Sequence, residues 1–315
     1  MRRWMLALCA TMVSVNVFCW DAAMSDETAM SDETAMSEKT AARLRHVDFS
    51  QVLALPTRAP DDIITYGSAA QQFGELWLPT DSSEEPASLV VLIHGGCWLN
   101  SYDVVHSRAM SMALNQQGYA VWSLEYRRIG DVGGGWPGTF EDIAAGIDHV
   151  ALLDNRGVDT QRVVLMGHSA GGQLALWASA RQQFVAGQAF YRADSVKSLG
   201  VVGLAAIVDL AEYSTGASSC QQAVVDLMGG TPTKVPERYQ IASPVLLTLL
   251  PNTVLVQGAD DTIVSPTHAL SAASRSGINL LPVANAGHFD LVHPGSIAWP
   301  LILQALDKAF ADPVP

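Results

Sequence analysis

The amino-acid sequence predicts an α/β fold in which a mostly parallel sheet is flanked by helices. Short apolar runs rich in β-branched residues, typical of strands buried on both faces, alternate along the chain with segments of helical periodicity. A chain of 315 residues, 49% hydrophobic and 16% charged, is long enough for one large domain of this class. Such sheets have right-handed crossovers, so the loops after the strands are expected at one ligand-binding edge.

The N-terminal 45 residues are expected to lie outside this domain. Residues 1–20 begin with two arginines followed by an apolar stretch, the pattern of a secretory signal peptide or, if uncleaved, of a membrane anchor. Residues 21–45 contain a polar, acidic hexapeptide repeated three times, which cannot bury a core and is interpreted as a disordered linker. The predicted location is periplasmic or secreted, with membrane contact only if the first segment is retained.

Charge and cysteine usage exclude several classes of partner. The formal net charge of −13 argues against a nucleic-acid partner, because phosphates would be repelled. Two of the four cysteines lie in the first 20 residues. The remaining two, Cys97 and Cys220, are expected to be free thiols, with a disulfide in an oxidising compartment as the alternative. Nothing near them has the spacing of a metal site, so no metal site is expected.

The elements can be assigned in chain order. Strands are expected at residues 63–66, 72–78, 89–93, 119–124, 163–166, 199–208, 253–256 and 278–283. The first two alternate apolar and polar residues, as half-exposed antiparallel edge strands do. Helices are expected at residues 104–117, 139–153, 267–276 and 296–310, and directly after residue 169. Residues 209–244 lack a strong period and contain several glycines and prolines, which indicates an irregular helical insertion that forms a small lid.

The motif Gly167-His-Ser-Ala-Gly-Gly172 lies between a buried strand and a helix. In this G-x-S-x-G context the serine occupies a strained turn, and the flanking glycines avoid clashes with neighbouring backbone. Ser169 is therefore the candidate nucleophile. The backbone N–H of Ala170, at the helix N-terminus, is a candidate oxyanion donor.

A serine hydroxyl needs a base, and the base needs an orienting carboxylate. Asp261 follows the strand at 253–256 and is preferred as the acid, with Asp260 as the alternative because the register of a short turn is uncertain. His288 follows the last strand and is preferred as the base, with His293 as its competitor.

The loop His94-Gly-Gly-Cys-Trp98 is the second chemical motif. Its glycines allow close approach of backbone to a substrate, so the N–H of Gly96 or Cys97 is expected to supply the other oxyanion donor. Trp98 and Trp136 are candidates for the lining of an apolar substrate pocket, although burial in the core is the more frequent role for either side chain.

These motifs, together with Glu125-Tyr-Arg127, resemble the α/β-hydrolase superfamily over about residues 60–310. The H-G-G-x-W loop is similar to that of the kynurenine formamidase and feruloyl-esterase-like branch of carboxylesterases. The resemblance implies an α/β-hydrolase domain over residues 46–315 that hydrolyses a small-molecule carboxylic ester without a cofactor.

Three other functions stay open at the level of sequence. Aryl formamide hydrolysis ranks second, because Cys97 stands where formamidases usually have tyrosine and a secretory start does not suit a cytosolic enzyme. A serine peptidase of the same fold is disfavoured because the chain lacks a large N-terminal propeller. A non-catalytic binding module of this fold would not need the full set of serine, acid and histidine. The oligomeric state is not predicted.

Overall fold

The computed structural model of the protein describes residues 43–79 and 85–311. The predicted signal or anchor at 1–20 and nearly all of the predicted linker at 21–45 lie outside these ranges. The compact fold begins at Leu44, whose N–H donates to the Gly295 carbonyl at 3.1 Å, two residues before the predicted domain boundary. No helix in the described ranges has both the length and the apolar composition needed to span a bilayer.

One eight-stranded sheet forms the centre of the fold. The strands are β1 (Asp62–Thr65), β2 (Phe73–Trp77), β3 (Ala87–Ile93), β4 (Ala120–Leu124), β5 (Val158–His168), β6 (Gly200–Leu204), β7 (Thr253–Gly258) and β8 (Asn279–Val283). Their order across the sheet is β1-β2-β4-β3-β5-β6-β7-β8. β2 runs antiparallel to β1 and β4, and all other neighbours are parallel. The predicted α/β architecture is confirmed.

Nine α-helices occur in the described part of the chain. They are α1 (Phe49–Leu53), α2 (Arg108–Gln116), α3 (Gly138–Asp148), α4 (Ala170–Ala180), α5 (Leu210–Tyr213), α6 (Ser219–Met228), α7 (Pro236–Ala242), α8 (Pro266–Ser276) and α9 (Trp299–Phe310). Short 3₁₀ turns cover Val104–Ser107, His149–Leu152, Asp154–Arg156, Arg181–Gln183, Pro244–Leu246 and Phe289–Val292. Helices α2 and α9 pack in one apolar cluster on the sheet, and α3, α4, α6 and α8 contribute to the other.

Two differences from the predicted elements concern β2 and the end of β6. Of the two strands predicted at an edge, β1 lies there and β2 does not, because β2 inserts between β1 and β4 and is largely buried. Its one charged residue, Glu75, is fully buried and is paired with Arg108 of α2, as a carboxylate in that position requires. The strand predicted at 199–208 ends at Leu204, because Ala205 adopts a positive φ of 45°.

The insertion predicted at residues 209–244 is helical and contains α5, α6 and α7. It follows β6 and therefore starts at the edge where the parallel strands end. Its residues line the main cavity of the fold, described below.

Candidate active site

Ser169 occupies the turn between β5 and α4. Its backbone has φ 56° and ψ −118°, a strained combination for a residue with a side chain. A Cβ added at Gly167 would lie 2.1 Å from the Gly171 carbonyl oxygen, and one added at Gly171 would lie 2.2 Å from that of Ile93. The turn can therefore form only with glycine at both positions, which is the steric reason that the motif predicts.

His288 and Asp261 meet at the carboxyl ends of β8 and β7. His288 Nδ1 lies 2.8 Å from Asp261 Oδ2, and both side chains are buried. Asp261 Oδ1 also accepts the N–H groups of Ile263 and Val264, at 2.8 and 2.9 Å, and Gln257 Nε2 donates to Oδ2 at 3.1 Å. Because Asp261 Oδ2 accepts at His288 Nδ1, this contact favours the tautomer with the proton on Nδ1, which leaves Nε2 as an acceptor.

The two alternative residues lie elsewhere. Asp260 is about half exposed and pairs with His46, 2.9 Å away, on the surface. His293 turns into its own loop, where Nδ1 accepts the Gly295 N–H at 3.0 Å. Neither residue lines the cavity that contains Ser169. The register of the turn after β7 thus brings Asp261, and not Asp260, against His288.

His168 links the nucleophile turn to the loop that carries His288. Its Nε2 donates to the His288 carbonyl oxygen at 3.0 Å, and the two rings lie 4.5 Å apart. Burial lowers the pKa of His168 well below its ordinary value, so the ring is neutral. The sequence reasoning assigned His168 no role, although its position next to Ser169 in the motif was a usable signal.

The loop after β3 runs directly against the nucleophile turn. A Cβ added at Gly95 would lie 3.3 Å from Ser169 Cβ. Gly96 and Cys97 follow with φ angles of 106° and 55°, and Ala170 is the first residue of α4. The structure therefore brings together the two backbone segments expected to carry oxyanion donors.

A cavity of about 560 Å³ opens at this edge of the sheet and contains Ser169 and His288 in its wall. The wall includes Phe49, whose ring contacts those of Tyr102, His106 and Phe289, also in the wall. The polar lining residues of the insertion and of the segment after β7 include Glu212, Thr215, Ser218, Ser219, Gln221, Thr262, Ser265 and Thr267. The cavity is within the size range of small-molecule sites.

Phe49 and His106 are cavity residues that the sequence reasoning missed. Phe49 belongs to the short helix α1, far from the motifs in sequence, and its ring packs 5.3 Å from that of Phe289. Burial, with a contribution from neighbouring His94, lowers the pKa of His106 to about 3, so this ring is neutral. No local pattern marks either residue as part of a site.

The prediction that Trp98 and Trp136 line the substrate pocket is wrong. Trp98 is fully buried, and its indole Nε1 donates to Gln173 Oε1 of α4 at 3.1 Å. Trp136 packs against the rings of Phe140 and Phe190, with centroids 5.1 and 5.3 Å away. The Trp98 indole lies in the core, and the partly buried Trp136 packs against it, so both contribute apolar burial and neither lines the cavity.

The expectation of free thiols is also wrong, because Cys97 and Cys220 form a disulfide across 123 residues of sequence. Their Cα atoms lie 5.0 Å apart, where α6 of the insertion meets the loop after β3. Both cysteines line the cavity. Within residues 43–79 and 85–311, no group of three or more histidine, cysteine or acidic side chains is placed to hold a metal ion.

Known esterases are similar to this chain in sequence and in fold. The chain is 27% identical over 245 residues to Esterase LipC of Mycobacterium tuberculosis, an alignment that covers 73% of this chain. The chain spans about 60% of the length of that relative. Among solved structures, Esterase B from Lactobacillus rhamnosis superposes with a TM-score of 0.69 at 25% identity, covering 91% of this chain and 97% of the other.

A more distant structure and a family model complete the comparison. A truncated carbohydrate esterase from gut microbiota superposes with a TM-score of 0.65 at 18% identity, covering 81% of this chain and all of the other, which is a likeness of fold. The BD-FAE family model matches residues 75–275, more than half of the chain. The α/β-hydrolase fold is thereby confirmed, and the chain belongs to the BD-FAE family.

Proposed function

We propose that the protein is a serine esterase that hydrolyses small-molecule carboxylic esters through an acyl-enzyme intermediate. The observation that carries the proposal is the pairing of His288 with Asp261 at 2.8 Å in the cavity that also contains Ser169 on its strained turn. A buried carboxylate, an imidazole and a serine hydroxyl in the cavity wall are the groups that nucleophilic acyl transfer requires. The esterase names of the relatives support an ester as the substrate.

In the first half of the reaction, Ser169 Oγ attacks the ester carbonyl carbon while its proton passes to His288 Nε2. Asp261 holds the proton on Nδ1 and stabilises the imidazolium that forms. The N–H of Ala170 and that of Gly96 or Cys97 donate hydrogen bonds to the negatively charged former carbonyl oxygen. Collapse of this intermediate breaks the bond to the alcohol, which leaves with the proton from His288.

In the second half, water replaces the alcohol. His288 Nε2 takes a proton from water as the water oxygen attacks the acyl carbon bound to Ser169. The same backbone donors stabilise the second tetrahedral intermediate. Its collapse releases the carboxylic acid and returns the proton to Ser169 Oγ, so the enzyme regains its starting state.

Replacement of Ser169 tests the nucleophile. Ser169→Ala should abolish hydrolysis of p-nitrophenyl acetate and labelling by a fluorophosphonate, and digestion of the labelled wild type should place the probe on the Ser169 peptide. Ser179→Ala is the matched control on the same helix, because its hydroxyl donates to the Leu176 carbonyl and lies outside the cavity wall. A Ser169→Ala protein that still hydrolyses the ester would refute the assignment.

A substrate panel tests the reaction class. We expect short-chain esters to be turned over faster than N-formylkynurenine, with long-chain and feruloyl esters defining the acyl preference. Faster turnover of N-formylkynurenine than of every ester would replace this proposal with formamide hydrolysis. A folded protein that reacts with neither substrate nor fluorophosphonate would instead be a binding module.

We also propose that the protein works outside the cytoplasm. The Cys97–Cys220 disulfide supports this location, because disulfides persist in oxidising compartments and are rare in the cytosol. It agrees with the secretory pattern of residues 1–20. Cell fractionation, with N-terminal sequencing of the recovered protein, tests both the compartment and removal of the signal.

A further inference from the structure

The Cys97–Cys220 disulfide joins two parts of the site that have different origins. Cys97 directly follows Gly96 in the loop after β3, one of the two segments proposed to carry oxyanion donors. Cys220 is the second residue of α6, within the insertion. Both residues lie in the cavity wall, so the covalent bond is formed at the site itself and not at a distant surface.

The loop at Cys97 has a backbone conformation that needs external support. Gly96, Cys97 and Trp98 have consecutive positive φ angles of 106°, 55° and 57°. Residues with side chains rarely adopt this region, and such conformations persist only where the surroundings hold them. Two of the three carry a side chain, so the loop would be expected to relax if its supports were removed.

The supports differ along the loop. After Cys97, the Trp98 carbonyl accepts the Ile129 N–H at 2.8 Å, and the Trp98 indole donates to Gln173. Before Cys97, Gly96 packs against Tyr102, where an added Cβ would lie 2.3 Å from Tyr102 Cβ. At Cys97, between them, the side chain is held by the bond to α6.

Helix α6 is a firm anchor for that bond. Its first turn is closed by a capping box in which Ser218 and Gln221 bond reciprocally. Its inner face is buried through Ala223, Val224 and Leu227, and the Leu227 carbonyl accepts the Trp136 N–H at 2.7 Å. The disulfide therefore ties the strained loop to an element that is packed into the core.

We infer that the Cys97–Cys220 disulfide is a positioning element of the active site, which holds the N–H groups of Gly96 and Cys97 in line with the oxyanion. The inference rests on the proposed esterase function. Loss of an oxyanion donor costs about 10² to 10³ in rate. Because Trp98 and Tyr102 still hold the two sides of the loop, we expect cleavage of the disulfide to lower kcat by about tenfold. The loss of activity should appear as a lower kcat with little change in KM, since the donors act on charge that develops in the transition state.

Reduction of the intact enzyme by a water-soluble trialkylphosphine tests this inference. The phosphine takes oxygen from water and becomes a phosphine oxide, while the disulfide becomes two thiols, and no added thiol attacks the substrate. We expect kcat for p-nitrophenyl acetate to fall with little change in KM, at a temperature where near-ultraviolet circular dichroism shows the reduced protein folded. Bridging the two thiols with diiodomethane, which forms S–CH₂–S and releases two HI, should restore kcat. Capping each thiol separately should not.

Cysteine variants distinguish the effect of losing the disulfide bond from the effect of changing either side chain. Cys97→Ser, Cys220→Ser and the double variant should show the same loss of kcat without additivity, because each breaks one and the same bond. Phosphine should have no effect on any of them. A wild type whose kcat is unchanged by reduction, or whose KM alone rises, would overturn the inference.

The outcomes also separate this inference from the function on which it rests. An untreated, oxidised enzyme that neither hydrolyses esters nor reacts with fluorophosphonate would refute the proposed function. An untreated enzyme that is active, and equally active after reduction, would refute only the positioning role of the disulfide.

Discussion

Replacing Asp261 by asparagine is the sharpest test of the proposed chemistry, because the structure dictates how the amide must sit. Four donors converge on the carboxylate: the N–H groups of Ile263 and Val264 on Oδ1, and Gln257 Nε2 and His288 Nδ1 on Oδ2. An asparagine has one oxygen and one NH₂ group, so it can serve only one of these pairs.

The two backbone donors decide the orientation of the amide. Their main-chain N–H groups cannot turn away, so the asparagine oxygen takes the place of Oδ1 and its NH₂ group faces His288 Nδ1. The imidazole must then accept at Nδ1 and carry its proton on Nε2, the nitrogen that should take the proton of Ser169. We expect kcat to fall by about 10⁴-fold, equivalent to about 5 kcal/mol of transition-state stabilisation.

The assay is steady-state hydrolysis of p-nitrophenyl acetate at neutral pH, with circular dichroism to confirm that the variant is folded. Asp260→Asn is the matched control, because the neighbouring carboxylate makes only a surface pair with His46 and should change kcat by less than about twofold. A folded Asp261→Asn enzyme with kcat within about tenfold of the wild-type value would refute the tautomer argument.

Two further predictions concern the turn and the stability. Gly171→Ala should lower kcat at least about tenfold and destabilise the fold by about 1–3 kcal/mol, because the new Cβ meets the Ile93 and His94 carbonyl oxygens. The loss of stability is measured by thermal unfolding, with Gly230→Ala as the control because its new Cβ meets side-chain atoms and no carbonyl oxygen among its nearest neighbours. The pKa of His106 is about 3 in the folded state and near 6.5 in the unfolded state, so the unfolded chain binds the proton first as pH falls. Stability should decline by up to about 1.4 kcal/mol per pH unit between these values, and His106→Gln should flatten the pH dependence of the urea midpoint; an unchanged slope would contradict this.

The local features of this protein could be predicted from its sequence because they depend on neighbouring residues. Apolar runs and helical periods located all eight strands and the main helices, because the spacing of apolar residues within a segment depends on which of its faces is buried. The glycines around Ser169 predicted a strained turn, and the structure shows the steric reason, since a Cβ at Gly167 or Gly171 would clash with a backbone carbonyl oxygen. Asp261 and His288 were predicted because the resemblance to α/β-hydrolases implies an acid after a late strand and a histidine after the last one.

Only the tertiary structure decided the features that depend on contacts between distant segments. The Cys97–Cys220 bond spans 123 residues, and nothing near either cysteine indicates which loop will pass within 5.0 Å of it. Phe49 enters the cavity wall from helix α1 for the same reason, whereas Trp98 lies outside the cavity wall and contacts Gln173. The sequence by itself thus determined which backbone turns can exist and which residues carry chemistry. The packing of the insertion against the loop after β3 decided what surrounds them, because side-chain neighbours across a core are set by the whole fold.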